Sequence, residues 1–213
     1  MAPYLPPVER PRGLFLRLMS FFMRRQFGKV QFEKLMTAMA VHSARMPAAF
    51  LSFYGKVSRL DKKLRLPSQT AMLIRERVAS VNSCEFCMDI NRWYATKDSV
   101  ENAARYDALP EYRTSPLFTD AERAALDYAT ELTGNRRVEP GTFTRLARYY
   151  SEREICDIVW LVASEHLYNM TNIGLNIGSA GLCELNLASR PTREVGASSS
   201  SRGGDKRVTA SSR

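Results

Sequence analysis

Two short motifs dictate where helices must start, and they set the class of fold the chain can adopt. Thr119-Asp120-Ala121-Glu122 and Ser151-Glu152-Arg153-Glu154 each pair a hydroxyl with a glutamate three residues on, which satisfies orphan N–H groups at a helix N-terminus. Gly134 supplies a stop for the first of these helices. The second box precedes the most apolar stretch of the chain, with Ile155, Ile158, Val159, Leu161, Val162, Leu167 and Met170 at helical spacing. Similar signals recur throughout. Leu35, Met36, Met39 and Ala40 line one face of a segment running from residue 32 to about 44, and Pro47 can open a helix over 48–60. Pro67 starts a mostly apolar rod through Met72, Leu73, Arg75, Glu76, Val78, Ala79 and Val81, which Asn82-Ser83 breaks. Lys97-Asp98-Ser99 caps a helix over 100–109, and Pro140 opens another that reaches Tyr149. No segment alternates as a half-buried strand does, so the expected class is all-α.

The formal net charge of +9 invites a nucleic-acid reading until it is located. Residues 1–31 hold six of the Lys and Arg side chains against one acid, and residues 189–213 hold six against two. The span 32–188 is left with nineteen basic and nineteen acidic side chains, so the expected folded body is neutral and nucleic acid is not an expected partner. Three parts follow: a basic N-terminal arm (1–31), a helical domain (32–188) and a disordered tail (189–213) rich in Ser, Arg and Gly. Within the arm, Leu14 to Phe27 reads as a basic amphipathic helix rather than a signal peptide, because Arg17 interrupts its apolar run and Arg24-Arg25 follow it. The arm is expected to pack on the domain or on a neighbouring subunit, with a membrane surface as the alternative. No run is long enough to span a bilayer.

Cysteine usage points to chemistry. Cys84, Cys87, Cys156 and Cys183 are too few for a disulfide scaffold, and a CxxC outside a secretory context reads as redox-active or metal-binding in a reducing, cytoplasmic setting. Ser83 is a good N-cap, which would put Cys84 at the first position of a new helix and Cys87 one turn in; unpaired N–H groups at a helix start favour a thiolate, and Cys84 is the better placed of the two for this. A zinc site joining Cys183 to the pair lacks an evident fourth ligand, and a packed structural pair is the bland alternative. Cys156 is expected to be a small hydrophobe among Ile155, Ile158 and Val159.

The titratable neighbours are few. Glu165-His166 is an unusual pair on a core-facing helix and supplies the candidate acid or base, whereas His42 reads as structural. Glu85 and Asp89 flank the cysteines and are expected to be solvated or helix-N-terminal charges. Glu76 is expected to pair with an arginine, Trp93 and Tyr94 to pack, and Tyr168 to Asn172 to line a pocket or a subunit seam.

The order of these parts resembles the carboxymuconolactone decarboxylase and alkyl hydroperoxidase D (AhpD-like) superfamily. The resemblance rests on an apolar helix running into Val81-Asn82-Ser83-Cys84-Glu85-Phe86-Cys87, then Ser115-Pro116-Leu117-Phe118-Thr119-Asp120-Ala121-Glu122-Arg123-Ala124-Ala125-Leu126-Asp127-Tyr128-Ala129, then the Ser151 helix, and covers roughly residues 32–187. It implies a helical domain that assembles into homo-oligomers and reduces hydroperoxides through the CxxC, with Cys87 attacking and Cys84 resolving. In hydroperoxidase members a glutamate twelve positions before the first cysteine and a histidine four after the second relay a proton. Here those positions hold Met72 and Asn91, and the histidine often found between the cysteines is Phe86.

Two functions are therefore expected. The first is a thiol-dependent peroxidase or disulfide exchanger. It would use Cys84, Cys87 and Glu165 or His166, with a small hydroperoxide as substrate, a dithiol protein as electron donor and no cofactor or metal. The second is an oligomeric binding or redox-sensing protein, and a redox-independent lactone decarboxylase is a third option that leaves the cysteines idle.

Overall fold

In the computed structural model, residues 2–6, 59–96 and 100–182 are described, together with isolated positions between 17 and 57. The helix expected over 32–44, His42, Cys183 and the tail from 189 lie outside the described residues. The described elements are α1 (Ser68–Val81), α2 (Glu85–Thr96), α3 (Val100–Asp107), a 3-10 turn (Leu109–Glu111), α4 (Asp120–Asn135), α5 (Pro140–Leu146) and α6 (Glu152–Ile173). All regular structure among them is helical, as the sequence pattern dictates.

Both capping boxes form. Thr119 Oγ1 accepts from the Glu122 N–H at 3.2 Å while Glu122 Oε2 accepts from the Thr119 N–H at 3.0 Å. Ser151 and Glu154 repeat the exchange at the start of α6. The stop of α4 is not Gly134, which stays inside the helix, but Arg136, which takes a left-handed φ of 58° and returns its N–H to Leu132 O.

α1 is the central element and packs against α2, α4 and α6. Its Ile74 and Val78 meet Ala124, Ala125 and Ala129 of α4 and Ile158, Leu161 and Val162 of α6 in one core. The alanines of α4 let the helices approach closely, and each fully buried aliphatic side chain contributes roughly 1.5–3 kcal/mol. On its other side Leu73 joins Tyr106, Leu109, Tyr112, Phe118 and Leu126.

Cys156 corrects an expectation. It is exposed on α6, because the buried face runs through Ile158, Leu161, Val162 and Glu165, and two residues' separation turns a helix by about 200°. The same turn leaves Val159, Leu167 and Met170 substantially exposed. In the arm, positions 17, 18, 21, 22 and 25 are helical, and Leu18, Phe21 and Phe22 are exposed. Among the described residues no helix is long and apolar enough to cross a membrane.

Candidate active site

The two cysteines sit where the chain reverses between α1 and α2. Ser83 adopts a positive φ of 56°, and the N–H groups of Asn82, Ser83 and Cys84 close back onto Val78, Ser80 and Ala79. The helix therefore begins one residue later than its sequence suggests: Cys84 O accepts from Met88, so Cys84 rather than Ser83 occupies the cap position, and Cys87 lies within the first turn. Cys84 and Cys87 form a disulfide with Cα atoms 5.2 Å apart. Both are buried, packed with Ala79 and against Met88 and Tyr168. Asn172, on the last turn of α6, directs its amide N–H at Cys87 Sγ, 3.5 Å away. A donor there, added to the free N–H groups of the first helical turn, favours a thiolate once the pair is reduced.

Glu165 lies one helical turn before Tyr168 and Asn169 and is fully buried. Oε2 accepts from Arg75 Nη1 at 3.0 Å, and Oε1 accepts from Asn169 Nδ2 at 3.0 Å and Asn91 Nδ2 at 3.3 Å. Burial pushes its carboxyl above the ordinary range, while the Arg75 guanidinium and the two amides pull it back. Arg75 also donates to Asp61 at 2.7 Å, and Asp61 accepts from the Trp160 indole. Asn91, one turn beyond Cys87, thus touches Glu165 directly.

His166 turns away from this group. Its Nδ1 faces two donors, Arg136 Nη1 at 3.1 Å and Asn82 Nδ2 at 3.4 Å, so the ring proton belongs on Nε2. Burial and the Arg136 charge hold its pKa below the usual histidine value. Of the four predicted site residues, Cys84, Cys87 and Glu165 share the α1–α2–α6 junction, and His166 occupies its solvent side.

Two charged neighbours differ from expectation. Asp89 is buried, not solvated: its Oδ2 accepts from Ser179 Oγ and from the N–H groups of Ala180 and Leu182, at 2.9–3.0 Å. It pins the segment after α6, whose Ile177 and Leu182 pack on Phe86 and Trp93. Phe86 thereby serves as packing. Glu85 is exposed, as expected. Among the described residues Glu76 makes no ion pair, because its neighbour Arg75 is committed to Glu165 and Asp61, and Arg92 is committed to Asp107. Burial first, and the Glu165 charge second, raise Glu76 to about 8. Asn169 and Asn172 belong to the stretch expected to line a pocket or a subunit seam, whereas the sequence gives Arg75 no site role. The available signal was a charged or amide side chain at a core-facing position of an apolar helix.

A cavity of about 240 Å³ is lined by Gln69, Met72, Tyr94, Asn102, Arg105 and Tyr106 among others, none of them part of the cysteine and Glu165 group. Trp93 is buried as a packing residue, and Tyr94 is partly exposed on the cavity wall.

No protein-family model matches the chain. It is 28% identical over 184 residues to the uncharacterized protein YnjA of Escherichia coli, covering 85% of this chain and 96% of that one. It is 25% identical to the uncharacterized protein YdfG of Bacillus subtilis over 121 residues, 56% of this chain and 82% of that one. Among solved structures the debrominase Bmp8 superposes with a TM-score of 0.68 at 22% identity, covering 86% of this chain and 96% of Bmp8. A protein of unknown function from Agrobacterium tumefaciens, provisionally described as the antioxidant defence protein AhpD, superposes with a TM-score of 0.60 at 21% identity over 65% of this chain and 94% of that one. The class is an all-helical domain with a CxxC at a helix junction. Its fold is the one seen in Bmp8 and in the Agrobacterium tumefaciens protein.

Proposed function

We propose that this protein reduces hydroperoxides through the Cys84–Cys87 pair. The observation that carries the reading is the pair itself: two cysteines within bonding reach at a helix start, with the Asn172 amide on Cys87 and a buried carboxylate, Glu165, hydrogen-bonded through the residue one turn beyond Cys87. Cys87 thiolate attacks the terminal peroxide oxygen; the S–O bond forms, the O–O bond breaks, and the leaving alkoxide takes a proton by way of Glu165. Cys84 thiol then displaces water from the Cys87 sulfenic acid, closing the disulfide. The protein has then supplied two electrons, which a dithiol donor protein returns. Such a cycle suits a reducing, cytoplasmic compartment.

The exposed Val159, Leu167 and Met170 stripe on α6 supports assembly with further copies of the chain, which light scattering of the purified protein tests.

The deciding experiment adds one equivalent of hydroperoxide to the reduced protein and follows the thiols by mass spectrometry, with Cys84→Ser and Cys87→Ser alongside. Rapid disulfide formation in the wild type, and a sulfenic acid trapped on Cys87 in Cys84→Ser, are expected. Oxidation no faster than that of a free thiol would overturn the reading in favour of a binding or sensing role. Because Bmp8 is a debrominase studied with 2,3,4-tribromopyrrole, that compound serves as a second electrophile. Disulfide formation with it alone would also overturn the reading.

A further inference from the structure

The turn that carries Cys84 holds a serine where its geometry calls for glycine. Asn82 ends α1, the Ser83 N–H returns to Ser80 O at 3.1 Å, and the Cys84 N–H returns to Ala79 O at 2.9 Å. This is the helix stop that ordinarily puts glycine in the left-handed residue. Ser83 stands there instead with φ 56°, a region that costs an L-residue roughly 1–2 kcal/mol. While the disulfide is closed, the Cys84–Cys87 bond ties the turn to α2. Reduction removes that bond, and the hydrogen bonds left between the turn and α6, among the described residues, are those of the Asn82 side chain.

Asn82 Nδ2 donates to Asn169 Oδ1 at 2.8 Å and lies 3.4 Å from His166 Nδ1. Asn169 is completely buried and has both ends of its amide engaged, because its Nδ2 donates to Glu165 Oε1 at 3.0 Å. The polarity of this chain is set from its two ends. Glu165 also accepts from Arg75 and Asn91, so Asn169 turns its nitrogen to Glu165 and its oxygen to Asn82. At the other end Arg136 Nη1 donates to His166 Nδ1 at 3.1 Å, so that ring nitrogen accepts. Asn82 thus meets an acceptor on either side, and only its amide nitrogen fits between them. Arg136 itself has a left-handed φ of 58°, so two unfavourable backbone positions adjoin one hydrogen-bonded chain.

We propose that Asn82, held by Asn169, is a positioning residue that keeps the reduced Cys84 thiol within bonding reach of Cys87, and so sets both the redox potential of the pair and the speed of disulfide closure. A thiol already held beside its partner loses less freedom when the S–S bond forms, which raises its effective concentration toward that partner. Without the Asn82 bond, the Ser83 turn relaxes to commoner backbone angles in the reduced protein, where no S–S bond opposes it. The dithiol gains freedom that the disulfide does not, and the balance moves toward the dithiol. In the peroxide-reducing reading, on which the kinetic part of this role rests, the step concerned is the second. The Cys84 sulfur attacks the sulfur of the Cys87 sulfenic acid; the S–S bond forms, the S–O bond breaks, and the hydroxyl leaves as water with the Cys84 proton. Attack of Cys87 on the peroxide precedes this step and uses no atom of the turn.

Equilibration of the full-length protein with mixtures of reduced and oxidised dithiothreitol, read by alkylation of free thiols and mass spectrometry, tests this without peroxide. Asn82→Leu keeps the volume and removes the donor, and should shift the equilibrium about 10-fold toward the dithiol, about 30 mV for a two-electron couple. Asn82→Gln retains a donor and should recover part of the shift, and Asn82→Ala repeats the measurement should the leucine variant not fold. Hydrogen exchange at the Ser83 and Cys84 amides should rise in Asn82→Leu when reduced and match the wild type when oxidised. An unchanged equilibrium, or exchange that rises equally in both redox states, overturns the proposal. With one equivalent of hydroperoxide in stopped flow, Asn82→Leu should consume peroxide at the wild-type rate yet close the disulfide about 10-fold more slowly, so that Cys87 sulfenic acid accumulates. Equal slowing of both steps would overturn the positioning role. A dithiothreitol equilibrium that shifts as stated, with no peroxide reactivity in any form of the protein, would instead sink the functional reading and leave Asn82 as the residue that positions the pair.

Discussion

Asn91 donates its side-chain amide to Glu165 Oε1 across 3.3 Å, joining the helix of the cysteines to the most apolar helix in the chain. The contact means that an uncharged donor, one turn beyond Cys87, holds the carboxyl group in place. Asn91→His should therefore put a titratable group between Cys87 and Glu165 and speed peroxide-dependent disulfide formation at neutral pH by about 10-fold or more. Asn91→Leu should slow it by removing the donor. Stopped-flow fluorescence of the reduced variants measures both.

Arg75 is the cation that makes the buried Glu165 tolerable, with Asp61 as its second partner. Arg75→Met leaves that carboxylate uncompensated and should cost about 3–5 kcal/mol in urea unfolding. The double variant Arg75→Met, Glu165→Leu should recover most of the loss, since both charges are gone. A double variant no more stable than Arg75→Met alone would show that Arg75 acts through Asp61 or packing.

The course of these helices was legible in sequence because helix signals are local. A hydroxyl and a glutamate three residues apart name their own hydrogen bonds, and both boxes form. Glu165 was also legible, as a carboxylate embedded in an apolar period. Its partners were not, because Arg75 stands ninety residues away and nothing local connects them. Cys156 misled for a related reason: apolar neighbours along the chain imply burial, whereas angular position on the helix decides it. The burial of Asp89 depends on an irregular segment near residue 180, whose backbone N–H groups no periodicity could assign to a partner.

Asp89 makes its own prediction. Its Oδ2 gathers three donors, two of them backbone N–H groups, and these hold the segment that covers Phe86 and Trp93. Asp89→Ala should strand those donors at a cost of about 1–3 kcal/mol. Hydrogen exchange should rise across 177–182, and reduction of the Cys84–Cys87 disulfide by a small dithiol should accelerate. Unchanged exchange in that segment would mean that the Ile177 and Leu182 contacts hold it without the carboxylate.

Glu76 should leave a signature on the pH dependence of stability. Burial pushes its carboxyl up to about 8 when folded, against 4.5 in the open chain. Between those values the unfolded chain releases the proton and the folded protein retains it, so the folded state binds more protons and stability falls as pH rises. The slope is at most about 1.4 kcal/mol per pH unit. Below the lower value both states hold the proton, and above the upper value neither does, so the dependence vanishes at each end. Glu76→Gln cannot ionise and should lose this decline, remaining more stable than the wild type at pH 8 while the two converge near pH 4.5. Urea unfolding at the two pH values measures the difference. A wild type and variant that keep parallel stability curves across the interval would show that the Glu76 carboxyl ionises in the folded protein as easily as in the open chain.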